Sequence, residues 1–211
     1  MTIKRSIQDA IEKGLFKGKI AIIYGARQVG KTTMVKEIQK KYAENSSYFN
    51  CDEPDIRDAL TNKTSTEIKA FIGRKRLVII DEAQRVENIG LTLKLIADNF
   101  KDIQIIATGS SSFDLSNKIA EPLTGRKNEY YLYPFSLEEL RGVYSVLEMH
   151  RLLERRMIYG MYPEITRDGE DSEKKLKSLA FSYAYKDVLQ YQHIKSPEVL
   201  EKLLKALALQ I

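Results

Sequence analysis

Residues 19–34 read "KIAIIYGARQVGKTTM": an apolar run, a glycine at 25, a second at 30, a lysine and two threonines. The run Ile20–Tyr24 is continuously apolar, as expected of a strand covered on both faces of a sheet. Residues from Lys31 to about Tyr42 read as a helix. Between them, Gly25-Ala26-Arg27-Gln28-Val29-Gly30-Lys31-Thr32 fits G-x-x-x-x-G-K-[ST] at every fixed position and lies between a strand and a helix, where that motif works. The glycines let the backbone curl so that successive N–H groups turn inward around a phosphate. The helix N-terminus adds partial positive charge at the same point. Lys31 then reaches the β- and γ-phosphates and the Thr32 hydroxyl ligates magnesium, with Thr33 completing the cradle. The bland alternative, a glycine turn carrying an exposed lysine, does not account for the strand–loop–helix context.

The next buried run, "RLVIIDEAQ" (76–84), delivers Asp81 and Glu82 to the end of a strand. In a parallel sheet that end lies beside the first loop. Asp81 is expected in the magnesium shell, directly or through water, and Glu82 is expected to orient and polarise an attacking water. "IQIIATGSSS" (103–112) repeats the strand-then-polar-loop pattern. It places Ser110 first, and Ser111 second, as a contact to the γ-phosphate or the water; equally, these serines cap a helix beginning near Phe113. In "EPLTGRKNEYYLYPFSLEEL" (121–140), Arg126 follows a glycine just before a strand. It is a candidate to stabilise transition-state charge, within its own subunit or on a neighbour, against the alternative of a surface turn residue.

With 211 residues, 43% of them hydrophobic, the chain can bury one ordinary core with a small second domain attached. Strand-type and helix-type segments alternate through the first two-thirds, which argues α/β. The apolar runs are too short to cross a bilayer and no leader pattern opens the chain, so no membrane partner and no secretion are expected. A single cysteine, Cys51, makes no internal disulfide and fits a reducing cytosol. Net charge is +5 and the isoelectric point near 9.1, but "KEIQKKY", "GRKR", "RLLERR" and "EKKLK" all have acidic residues nearby. Solvated faces of amphipathic helices explain them better than a nucleic-acid patch.

From Ser136 onward the chain reads as helical. Ser136 and Glu139 form a capping box, and Ser196-Pro197 starts a helix carrying Leu200, Leu203, Leu204, Leu207 and Ile211 on one stripe. The expected division is a sheet domain over 1–145 and a helical module over 146–211. The stripe on the last helix either packs back or meets further chain. His150 and His193 have no paired ligands and imply no metal site. Cys51 reads as a small buried residue. Tyr130, Tyr131, Tyr133 and Phe135 read as a core strand beneath helices rather than a base-stacking platform.

In order, "GARQVGKTT", "VIIDEAQ", "TGSSS", "LTGR" and "YLYPFSLEEL", continued by "GMYPEI" (160–165) and residues 185–210, resemble the bacterial and archaeal AAA-type P-loop ATPases, over nearly the whole chain. The resemblance implies an AAA-type parallel sheet flanked by helices, followed by a helical, winged-helix-like module. It places Lys31 and Thr32 at phosphate and magnesium, Asp81 and Glu82 as the acidic pair, a polar sensor at Ser110, and Arg126 at the family's "GR" position. Members usually carry a further C-terminal, nuclease-like domain that this sequence lacks, so a truncation at Ile211 is expected.

The leading expectation is an ATPase that couples magnesium-ATP binding at Gly25–Thr33 and hydrolysis to movement or partner binding. ATP over GTP comes from the resemblance. The alternative is a nucleotide-dependent switch or DNA-binding regulator with little turnover; a small-molecule kinase fits less well, because Glu82 suits water. A DNA or protein partner for the helical module, and a homo-oligomer, are compatible with either.

Overall fold

Five strands, β1 (Ile20–Gly25), β2 (Ser46–Asn50), β3 (Leu77–Asp81), β4 (Gln104–Gly109) and β5 (Lys127–Leu132), form one sheet in the order β2-β3-β4-β1-β5. Every neighbouring pair is parallel, so every strand points its C-terminal end the same way. A computed structural model describes residues 3–109, 119, 121–167, 171–181 and 197–210. The chain divides into two units, residues 1–149 and 150–211.

The alternation of side chains along the strands builds two cores, one on each face. Ile20, Ile22 and Tyr24 of β1 and Val78 and Ile80 of β3 enter one. Ala21 and Ile23 of β1 and Leu77 and Ile79 of β3 enter the other. That is why these strands read as unbroken apolar runs rather than alternating ones. Helices α1 (Ser6–Gly14) and α2 (Lys31–Lys40) supply Ile11, Met34, Val35 and Ile38 to the second core. Helices α3 (Pro54–Leu60), α4 (Ser65–Ile72) and α5 (Ile89–Asn99) supply Leu60, Ile68, Ile72, Leu93 and Ile96 to the first. Each of these buried apolar helix side chains contributes about 1.5–3 kcal/mol.

Helices α3 and α4 fill the stretch between β2 and β3. Pro54 is the first residue of α3, where its missing N–H costs nothing. Thr64 and Glu67 form a complete capping box before α4. A correction concerns β5. It is an edge strand, and of the four aromatics expected in a core Phe135 is buried and Tyr130 packs against the second core, whereas Tyr131 is 47% and Tyr133, just beyond the strand, 69% exposed. Beyond it, α6 (Leu137–Arg141) opens with the expected Ser136–Glu139 capping box, and α7 (Val146–Arg151) crosses the division between the units.

The described part of the second unit is helical: α8 (Leu153–Tyr159), α9 (Pro163–Arg167), α10 (Ser172–Phe181) and α11 (Pro197–Ala208). Ile165 and Leu179 are buried, while α11 exposes Val199, Leu203, Leu204 and Leu207. Among the described residues no helix is long and apolar enough to cross a membrane.

Candidate functional site

The C-terminal end of β1 runs directly into the glycine loop, and two backbone requirements explain its glycines. A Cβ on Gly25 would lie 2.6 Å from the Leu132 carbonyl oxygen of β5 and 3.0 Å from Val29 Cγ1. Gly30, immediately before α2, has φ of 100°, in the left-handed region that only glycine enters freely. As the residue capping α2, Gly30 offers no side chain to the helix's first amides, so that end stays suited to an anion. Val29 is fully buried and pins the loop to the core, whereas Gln28, with φ of 60°, is exposed at its tip. Ala26 and Arg27 are half-buried and Thr33 is exposed.

Lys31 is buried, its ammonium donating to the carbonyls of Gly25 (2.8 Å) and Ala26 (3.0 Å). The charge is thereby held across the loop. One residue on, the Thr32 hydroxyl donates to Asp81 Oδ2 at 2.7 Å.

Sheet register assembles the surroundings of Asp81. Ile23 of β1 pairs with Thr108 of β4, and Ile80 of β3 with Ala107, so Asp81 and Thr108 lie side by side on the same face. Asn50 pairs with Asp81, which puts Tyr48, two residues earlier on β2, on that face too. Asp81, 2% exposed, accepts from three hydroxyls. Thr32 and Tyr48 (2.5 Å) donate to Oδ2, and Thr108 donates to Oδ1. The Thr108 oxygen also accepts from the Glu82 amide at 3.2 Å. Burial, followed by its bond to the Asp81 carboxylate, pushes the Tyr48 hydroxyl well above its usual range, so Tyr48 remains a donor. Glu82 sits just past the strand in the left-handed region (φ 54°, ψ 41°), and its carboxylate accepts from Gln84 Nε2 at 2.5 Å.

Lys31, Thr32, Asp81 and Glu82 therefore meet at one end of the sheet. Arg126 does not meet them. It precedes β5, its carbonyl accepts from the Ile20 amide at the start of β1, and its guanidinium pairs with Asp98 at 2.7 Å. Strands rise about 3.3 Å per residue, which puts Arg126 a full strand length from the loop of its own chain. A role for it within its own subunit is thus corrected. Ser110, Ser111 and Phe113 lie outside the described residues, as does His193.

Tyr48, Thr108 and Gln84 carry no sequence signal of their own as site residues. Thr108 stands within the quoted strand "IIATG", but only the pairing of β3 with β4 brings it to Asp81. Cys51 is fully buried, as expected, and burial pushes its thiol up to about 12.

Residues 17–141 match a family described as an AAA domain, and residues 150–211 match a domain of unknown function. An uncharacterized protein of Methanocaldococcus jannaschii is 29% identical, over 94% of this chain and 49% of its own length. One from Haemophilus influenzae is 25% identical, over 90% of this chain and 51% of its own. The chain spans about half the length of these curated relatives. Among solved structures, a Walker-type ATPase of Pyrococcus abyssi superposes with a TM-score of 0.62 at 16% identity, covering 93% of this chain and 77% of that one. The sheet and its flanking helices share that P-loop fold.

Proposed function

This chain belongs to the AAA-domain family, and on that premise we propose that it binds magnesium-ATP at Gly25–Thr33 and hydrolyses it. The observation that carries the reading is the Thr32–Asp81 contact of 2.7 Å beside a loop spanned by the Lys31 ammonium. Magnesium takes octahedral oxygen ligands, retains several waters and needs only one or two protein oxygens besides phosphate. A hydroxyl and a carboxylate already in contact suit it. Among the described residues no cluster of three or more His, Cys, Asp or Glu could hold a metal unaided, which fits an ion that arrives with the nucleotide. Bound there, it would neutralise charge between the β- and γ-phosphates.

The chain's own residues divide the remaining work. Lys31 exchanges its two carbonyl partners for phosphate oxygens. Asp81 is held in place by Tyr48, which shares Oδ2 with Thr32, and by Thr108 on Oδ1. Glu82 holds and polarises the attacking water, and Ser110 contacts the γ-phosphate or that water. Arg126 contributes only if a neighbouring copy presents it. Loss of the γ-phosphate removes contacts that order the loops, and that change is the output passed to the helical, winged-helix-like module and a DNA or protein partner.

A second reading, a nucleotide switch with little turnover, is favoured by the Gln84 amide, which occupies the Glu82 carboxylate at 2.5 Å. Phosphate release from magnesium-ATP, followed over a range of protein concentrations, separates the two. Lys31→Ala should weaken ATP binding at least about tenfold, since it removes a charge-assisted contact to phosphate. Glu82→Gln should keep ATP bound and lose turnover about a hundredfold or more. Wild-type ATP affinity in Lys31→Ala would sink the assignment. Bound ATP without release in the wild type would select the switch.

A further inference from the structure

Outside the residues with a role in nucleotide chemistry, Arg5, just before α1, is a buried and heavily bonded charge. It is 5% exposed, and the three nitrogens of its guanidinium bond to three separate parts of the first unit. Nη1 donates to the Val29 carbonyl inside the glycine loop at 2.8 Å. Nη2 donates to the Tyr133 carbonyl just beyond β5, and Nε donates to Glu139 Oε1 of α6 at 3.1 Å. The guanidinium also lies over the Phe135 ring, 4.7 Å from its centre. Glu139 is itself fixed, accepting from the amides of Ser6 (2.8 Å) and Ser136 (3.0 Å). A planar fork with fixed donors suits this task, and a lysine ammonium does not.

We infer that Arg5 is a positioning residue for the phosphate loop, a role that rests on the nucleotide-binding reading. The reason is peptide geometry. A trans peptide is planar, with its C=O and N–H pointing in opposite directions. Holding the Val29 carbonyl toward Arg5 therefore turns the Gly30 N–H away from Arg5, toward the interior of the loop. Gly30 has no side chain to restrain that peptide, and its φ of 100° is one of several open to glycine. Arg5 supplies an anchor for it from outside the loop. Through Glu139 the same residue ties the loop to α6.

The test is calorimetric titration of ATP, in magnesium, into Arg5→Met, Arg5→Lys, Lys31→Ala and Leu93→Ala, well below each melting point and with the native fold verified by circular dichroism. Leu93, fully buried on α5 in the opposite core, reports a loss of stability alone. Arg5→Met should bind ATP about tenfold more weakly or worse, Arg5→Lys should be intermediate, and Leu93→Ala should melt earlier at unchanged affinity. The Gly30 amide resonance should shift in Arg5→Met and stay in place in Leu93→Ala. Wild-type affinity in a folded Arg5→Met, with Lys31→Ala impaired, overturns the role of Arg5 alone. Wild-type affinity in Lys31→Ala overturns the nucleotide reading beneath it. If Arg5→Met does not fold, Arg5→Lys decides: binding at least threefold weaker supports the role, and equal binding overturns it.

Discussion

Thr108→Val removes one oxygen and keeps the shape of the side chain, which makes it a clean probe of the acidic corner. In the native protein that oxygen donates to Asp81 Oδ1 and accepts from the Glu82 amide. A hydrogen bond to a charged group contributes about 1.5–3 kcal/mol, and an amide left without its acceptor costs about 1 kcal/mol more when partly buried. The valine methyl returns some of this, so a net loss of about 2–3 kcal/mol is expected. For a chain of this size that lowers the melting temperature by roughly 8 °C. Asp81 keeps its bonds from Thr32 and Tyr48, so the fold should survive. The Glu82 backbone, in the left-handed region, loses its tether to β4, and turnover should fall at least about tenfold, equivalent to about 1.4 kcal/mol of barrier. Thr108→Ser is the counterpart: it keeps the oxygen and loses a methyl, so it should cost about 1 kcal/mol and retain turnover. The assays are urea titration for stability and phosphate release for activity. If Thr108→Ser were the worse of the pair in both, packing rather than hydrogen bonding would be the function of this position and the reasoning would be wrong.

Gly25→Ala should cost about 2–3 kcal/mol in urea titration, because its Cβ would meet backbone oxygen at 2.6 Å. Gly18→Ala, at a φ of +73° but with nothing within 4 Å, should cost only about 1 kcal/mol; equal losses would mean that β5 yields to the clash. The Glu139 carboxyl is raised by burial, but the Ser136 and Ser6 amides and Arg5 outweigh that and hold it below its ordinary value of 4.5. A depressed folded-state value means stability that is complete above 4.5 and lost as pH falls through the lower folded value. Glu139→Gln should therefore be less stable than wild type at pH 7 and flatter with pH over the acid range. Parallel acid-melting curves for the two proteins would contradict this. Arg126→Ala should leave the ATP affinity of its own chain within about twofold by calorimetry, since Arg126 lies at the far end of β5; a tenfold loss would mean that its loop reaches the nucleotide.

The glycine loop was legible in the sequence because its determinants are local. Gly30 must adopt a left-handed φ, Lys31 and Thr32 come within two residues of it, and the flanking strand and helix announce themselves by periodicity. Asp81 and Glu82 were legible for a similar reason, since a buried strand of a parallel sheet carries the residues at its close to one shared end of that sheet. The capping box at Ser136–Glu139 was equally local and is present in the fold. The boxed helix at Thr64–Glu67 carried the same signal. Arg126 misled because proximity in the motif order says nothing about which end of a strand a residue occupies. It precedes β5, and a parallel strand has its functional end at its close.

By itself, the sequence determined the α/β class, the glycine loop and the position of Asp81 and Glu82 at the end of a buried strand, all of which rest on local patterns of residue types. Only the tertiary structure decided which groups those residues touch. Strand order places β4 between β1 and β3, so Thr108 meets Asp81. Register carries Tyr48 to the same carboxylate from another strand. Arg5 reaches Val29 across 24 residues and Glu139 across 134. Hydrogen bonds of that range are set by how sheet, loop and helices pack together, and no local pattern of residue types encodes them.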